Sequence, residues 1–264
     1  MKRFLLFIFC LIATNSTYCS YVGNPSFPAL TMDGFFTTNA SWGSCRIGYE
    51  GDFTSDARLE QVSTANRKVD NFKQDVNSAS FTINFLNRCD LFAIAGAAKI
   101  KTNWRIETIQ TIFNQIELET TYDLSWAAGG KILLFEWANT SLGIGGRYYY
   151  TRPGISWVTI DGTPTSITDS KCRFRQWQID CCLSHKIDIF IPYIGCKYLQ
   201  SRARISGVNA PIADDSSYGI SMKNKCNYGL VLGCSLTKGK IFTLNIEARL
   251  IDEEAVAISG DVRF

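Results

Sequence analysis

The chain has one histidine, His185, in 264 residues. Histidine-based acid–base catalysis and multi-histidine metal sites are therefore poor readings of it. Charge is scarce as well: 19% of residues are Asp, Glu, Lys or Arg, below the usual quarter of a soluble domain. Neither sign dominates. Without Lys2 and Arg3, 25 basic residues face 24 acidic ones, so no basic patch argues for a nucleic-acid partner. Long apolar runs are missing too. The stretches Leu91–Ile100 and Lys131–Trp137 stop well short of the roughly 18–20 residues that a membrane helix needs. Phosphate loops, internal repeats and cofactor fingerprints are absent, so no cofactor is expected. Apolar content is not lacking: 46% hydrophobic residues exclude a disordered chain.

The N-terminus has the layout of a secretory signal. Met1-Lys2-Arg3 is followed by the apolar run Phe4–Ala13 and then by small and polar residues up to Ser20. Cleavage is expected after Cys19 or Ser20, leaving residues 21–264 as one exported domain. Two architectures suit an exported, apolar chain without membrane helices. One is a soluble β-protein stapled by disulfides, and the other is a transmembrane β-barrel.

Alternation decides between them, because successive strand residues point to opposite faces. Near the C-terminus Val256, Ile258, Gly260, Val262 and Phe264 share one face, while Ala255, Ala257, Ser259, Asp261 and Arg263 share the other. The preceding segments repeat the pattern. Phe242, Leu244, Ile246, Ala248 and Leu250 oppose Thr243, Asn245, Glu247 and Arg249, and Tyr228–Leu236 alternates likewise. Apolar-out and polar-in is the pattern of an outer-membrane barrel. About 12 antiparallel strands, within a range of 10 to 16, fit the mature length at about 20 residues per strand and connection. Ser63–Asn77 and Asp161–Lys171 read as longer extracellular loops, and Tyr148–Tyr150, Trp157, Trp177 and Tyr193 read as interface girdles. A terminal aromatic on an amphipathic strand has the form of an outer-membrane assembly signal, so Phe264 and Val262 are its candidates and the barrel assembly machinery is an expected partner.

The polar faces give the expected lumen: Arg46, Glu50, Asp52, Asp123, Lys131, Arg147, Asp180, Lys197, Glu247, Arg249, Asp261 and Arg263. With six charges of each sign, such a lumen selects by size more than by sign. Ser184 and His185 are strand neighbours facing opposite ways, so they make no catalytic dyad, and no enzyme is expected. Eight cysteines follow the signal: Cys45, Cys89, Cys172, Cys181, Cys182, Cys196, Cys226 and Cys234. Several lie on apolar faces, where cysteine serves as a small hydrophobe. Cys89 and Cys172 fall at expected turns or loops and are better placed for cross-links.

Some segments resemble a known family. The closing stretch Ile246-Glu-Ala-Arg-Leu-Ile-Asp-Glu-Glu-Ala255 with Val262-Arg-Phe264 is similar to the C-terminus of the chlamydial major outer membrane proteins. So are Trp177-Gln178, Phe190-Ile-Pro-Tyr-Ile-Gly-Cys-Lys-Tyr198 and Ile47-Gly-Tyr-Glu-Gly-Asp-Phe53. Weaker echoes are Asn87-Arg-Cys-Asp-Leu-Phe92 and Ala127-Ala-Gly-Gly-Lys131. The chain departs in being shorter, with trimmed loops, and in keeping Cys45 alone of the N-terminal cysteines. The resemblance implies a porin barrel surrounded by outer-membrane lipid, with disulfide cross-links to other envelope proteins. A homo-trimer is left open. Two functions follow as expectations: passive diffusion of small solutes and ions, or a structural or adhesive envelope role with a closed lumen.

Overall fold

The protein is described by a computed structural model covering residues 21–30, 34, 42–62, 67–107, 113–165, 167–208, 220–238 and 241–264. The expected signal segment lies outside the described residues. No described helix is long and apolar enough to cross a membrane. The strands are β1 (Gly43–Asp56), β2 (Leu59–Gln61), β3 (Arg67–Phe85), β4 (Cys89–Glu107), β5 (Phe113–Thr120), β6 (Asp123–Trp137), β7 (Thr140–Thr151) and β8 (Ile155–Ile160). They continue with β9 (Thr163–Pro164), β10 (Ile167–His185), β11 (Phe190–Val208), β12 (Ile220–Asn224), β13 (Tyr228–Lys238), β14 (Phe242–Leu250) and β15 (Glu254–Arg263).

Ten of them close an antiparallel ring in the order β1, β3, β4, β6, β7, β10, β11, β13, β14, β15. The last strand pairs with the first, Ile47 opposite Val262, and the Phe264 N–H donates to the Cys45 carbonyl at 2.9 Å. Closure leaves no ladder edge in the wall, as lipid demands. Ten strands fall inside the expected range but below twelve, because β3, β4, β10 and β11 each run to 19 residues. The five short strands lie outside the ring. β5, β8 and β9 continue from the far end of β4, while β12 and β2 continue from β11.

Both chain ends of the ring and the short connections at 86–88, 138–139 and 186–189 share one rim. The longer connections share the other, which is the extracellular side in barrels of this kind. Two expected loops are corrected here. Most of Ser63–Asn77 belongs to β3, and residues 167–171 open β10.

The reason lies in strand length. Nineteen residues span about 60 Å along a strand, while the apolar band of an outer membrane is about 25 Å tall. The upper half of the barrel therefore stands in water and inverts its pattern. Phe72, Trp104, Phe174, Ile205 and Met222 point inward there and form one buried apolar cluster, with Phe72 and Phe174 stacked at 5.3 Å. Arg173, Arg175, Arg202 and Arg204 alternate with them and point outward. Those segments carry the period of a strand with the sign opposite to that of a lipid-facing wall. In the lower half Ile47, Phe81, Ile179, Ile194, Ile246 and Ile258 are exposed on the outside, as lipid contact requires.

Two substitutions separate the halves. Ile246 sits opposite Ile258 near mid-membrane height, so Ile246→Arg is expected to cost about 2–4 kcal/mol of folding stability in lipid. Phe174→Ala opens a hole in the upper core and is expected to cost about 3–5 kcal/mol. Urea titrations of the barrel refolded into vesicles check both values.

Candidate functional site: a filled lumen

Inward-facing residues of the lower half are charged, and charges withdrawn from water need partners. Eight carboxylates and five basic groups are buried among the described residues, with Lys131 half-buried beside them. Ion pairs join ten of them. Arg249 reaches Asp52 at 2.5 Å, Glu253 at 2.8 Å and Glu247 at 3.2 Å. Arg147 meets Glu50 at 2.7 Å, Arg46 pairs with Asp90, and Lys197 lies 3.1 Å from Asp252 and also contacts Glu253.

Asp252 and Glu253 come from the turn between β14 and β15, where Ile251 adopts a positive φ of 83°. That turn folds into the barrel rather than away from it. Gly229 makes room for it: a Cβ there would fall 2.0 Å from the Asp252 carboxylate.

The space enclosed by this network is occupied by the chain itself. Residues 21–30, ending in a one-turn helix Phe27–Leu30, run through the lower lumen. The N–H groups of Val22 and Gly23 donate to the two Glu247 carboxylate oxygens at 2.8 and 2.6 Å. Arg147 donates to the Tyr21 carbonyl at 3.2 Å, and Asn84 to the Pro28 carbonyl at 3.1 Å. The Asn24 amide reaches Ser235 Oγ at 3.0 Å and the Ile191 carbonyl at 3.3 Å, and Ser26 bonds Ser184 at 3.1 Å. Lys131 Nζ lies 5.2 Å from the Tyr21 ring centre and 5.4 Å from that of Phe27. Val22 packs with Cys182, Tyr193 and Val231. A cavity of about 40 Å³ remains beside it, lined in part by Tyr21, Phe27, Arg46, Glu50 and Lys131. It is of water size.

Of the expected lumen residues, Arg46, Glu50, Asp52, Arg147, Asp180, Lys197, Glu247, Arg249, Asp261 and Arg263 are buried inside the barrel. Lys131 also faces inward. Asp123 does not: it is exposed at the first residue of β6, where its carboxylate accepts the Leu124 N–H at 2.7 Å. There β6 is paired with β4 alone, opposite Ala98, and its pairing with β7 starts only at Ser125. Asp90, Asp252 and Glu253 join the network without having been expected. The last two lie in the turn between β14 and β15, where an acidic run beside Arg249 was a usable signal. The segment 21–30 shows no strand period, and Pro25 and Pro28 forbid one.

Val262 and Phe264 are half-buried on the outer face. Cys172, expected near a loop, is instead fully buried in the apolar upper core, out of reach of another protein. Cys89 is half-buried at the lower rim, and all eight described cysteines are free thiols. Cys181 and Cys196 lie directly opposite one another on the outer wall. Ser184 faces inward and His185 outward, where its ring contacts Thr140.

No family model matches the chain. It is similar over its whole length to major outer membrane porins of Chlamydia trachomatis. It is 23% identical to the serovar F protein and 22% to the serovar L3 protein, covering 100% of this chain and 99% of each relative. Each alignment runs over 394 positions against 264 residues here, so gaps take up the surplus. The resemblance seen in the closing and central motifs thus extends to the full chain. Among solved structures, the outer membrane protease OmpT of Escherichia coli aligns at a TM-score of 0.43 and 9% identity, covering 84% of this chain and 93% of that one. The outer membrane protein OprG of Pseudomonas aeruginosa aligns at 0.36 and 10%, covering 84% and 95%.

Arg249 neutralises three carboxylates at once. Arg249→Met is expected to cost about 3–5 kcal/mol near neutral pH, because it strands those charges in a dry interior. The gap between variant and wild type should narrow as pH falls through the carboxylate range, since protonated carboxyls need no counter-charge. Denaturant titrations at pH 4 and pH 7.5 give both values.

Proposed function

We propose that this chain is a porin-like barrel of the bacterial outer membrane that passes small ions and solutes passively, with residues 21–30 setting its conductance from within. The observation that carries the reading is a closed barrel with an inner wall of alternating buried charges in the membrane-spanning half. The full-length similarity to proteins named major outer membrane porins supports it. The reading assigns no catalytic chemistry to the barrel. In the arrangement described, the segment 21–30 occupies the path, so ions move when it shifts or leaves. Nothing covalent among the described residues holds it there. It is tied by hydrogen bonds, three cation–π contacts and a small apolar cluster, all of them non-covalent.

A second reading is favoured by a specific observation. The upper half is closed by the apolar cluster around Phe72, Trp104 and Phe174, and apolar constrictions oppose ion passage. On that reading the barrel is a structural or adhesive envelope protein. Phe264 and Val262 are retained as the proposed assembly signal, and Cys89 as the better-placed thiol for a cross-link to a neighbouring envelope protein.

Planar-bilayer recordings separate the two. Under the porin reading, intact barrel gives brief, infrequent current steps, and barrel lacking residues 21–30 gives larger and longer ones. Arg147→Glu in the shortened barrel should then shift the reversal potential toward cations. A shortened barrel that is well folded yet silent leaves the structural role as the function.

A further inference from the structure

Arg173 and Arg204 lie directly opposite one another on neighbouring strands, as do Arg175 and Arg202. All four are exposed on the outer wall. Directly opposed like charges destabilise a sheet pair, so this arrangement costs the bare protein stability. Arg152, also exposed, follows Thr151, whose partner across the ladder is Phe174, and so extends the cluster beside Arg173. Among the described residues, none of these five arginines has an ion pair with a carboxylate. Lys223, opposite Arg202, differs in having Glu60 at 3.3 Å. The cluster calls for anions from outside the chain.

Its position says which kind. Trp177 is the next outward residue below Arg175, and its indole N–H donates to Gln200 at 2.7 Å. Trp177, Tyr198 and Tyr228 are linked ring to ring at 5.3 Å, and Trp126 contacts Tyr148 and Tyr150 at 5.6 and 6.0 Å. These rings form an aromatic belt of the sort that marks a membrane interface. Below it the same wall carries Ile179, Leu183 and Ile194, all exposed. From His185 at the lower rim to Arg175 is ten residues, or about 25 Å of height at the usual tilt of such strands. The arginines therefore stand at the level of lipid headgroups, on the side of the longer connections. A cleft of about 180 Å³ opens at this level, bordered by Tyr148, Arg175, Trp177, Gln200 and Arg202.

We propose that this cluster is a binding site for the phosphates of outer-leaflet glycolipids, the acyl chains lying along the apolar wall beneath. Guanidinium groups grip phosphate through paired N–H donors, and the opposed pairs present two such forks to one ligand. A glycolipid is preferred to soluble phosphate because the cleft is continuous with the belt and the apolar wall, which only a lipid can use. The proposal rests on the outer-membrane placement of the barrel and is independent of conduction.

Native mass spectrometry of the full barrel, titrated with diphosphoryl lipid A, tests it. Wild type is expected to retain the lipid and to bind dephosphorylated lipid A far more weakly. The variant carrying Arg173→Gln, Arg175→Gln, Arg202→Gln and Arg204→Gln should lose about ten- to hundredfold in affinity. Its heat-modifiable migration should stay that of a folded barrel. Arg175→Lys with Arg202→Lys keeps the charge without the fork, and an affinity below that of wild type supports the site even if the fourfold variant fails to fold. Unchanged binding by the fourfold variant, or equal binding of dephosphorylated lipid, overturns the proposal. So does displacement of the lipid by inorganic phosphate at equal concentration, which would mark a soluble-anion site.

Discussion

Glu247 holds the interior together. Its two carboxylate oxygens accept from the N–H groups of Val22 and Gly23, from the Tyr193 hydroxyl at 2.8 Å and from Arg249 at 3.2 Å. A carboxylate with that many donors has replaced its hydration shell with protein. The consequence is mutual dependence. The segment 21–30 needs an acceptor for N–H groups that no strand can offer, and Glu247 needs donors that the wall alone does not supply in that number. From Arg249 the same network runs to Asp52 and Glu253, and Lys197 then ties Glu253 to Asp252. Wall, turn and inner segment are thereby one electrostatic unit.

A second constraint is the mismatch between strand length and membrane thickness. Strands of 19 residues cannot be lipid-facing over their whole length. One chain thus builds two kinds of barrel end to end. The lower one is apolar outside and charged inside, and the upper one is charged outside and apolar inside. The change of sign falls between Trp177 and Arg175 on β10, and Gln200 marks the same level on β11. The aromatic belt lies at that level because its rings suit a boundary between hydrocarbon and water.

How much of this was legible in the sequence follows from the same division. Strands β14 and β15 lie wholly in the lower barrel, so their alternation gave the inward and outward faces correctly. Arg46, Glu50, Arg147 and Lys197 were placed inside by parity alone. Parity failed at Asp123, the first residue of β6, and it has nothing to say about Asp252 and Glu253, which lie in a turn. Residues 67–77 of β3 and 167–171 of β10 were taken for loops, because inward Phe72 with outward Lys73 is a soluble pattern inside a membrane protein. Cys172 was misplaced for the same reason. Residues 21–30 carry no periodic signal at all, since their structure is dictated by acceptors that come from far along the chain.

The account therefore turns on whether this short polar segment, which ends in a single helical turn, sits inside the barrel. It joins at least eight strands of the ring through Arg46, Asn84, Lys131, Arg147, Ser184, Ile191, Val231 and Glu247. The cavity described beside it is of water size. Such a barrel is a wall with its own stopper. Methyl NMR of the refolded barrel in detergent micelles tests this most directly. The account predicts a nuclear Overhauser contact between the methyl groups of Val22 and Val231, with Val22 methyls shielded from a soluble paramagnetic probe. Val22 methyls that show no such contact and broaden freely with the probe would contradict it.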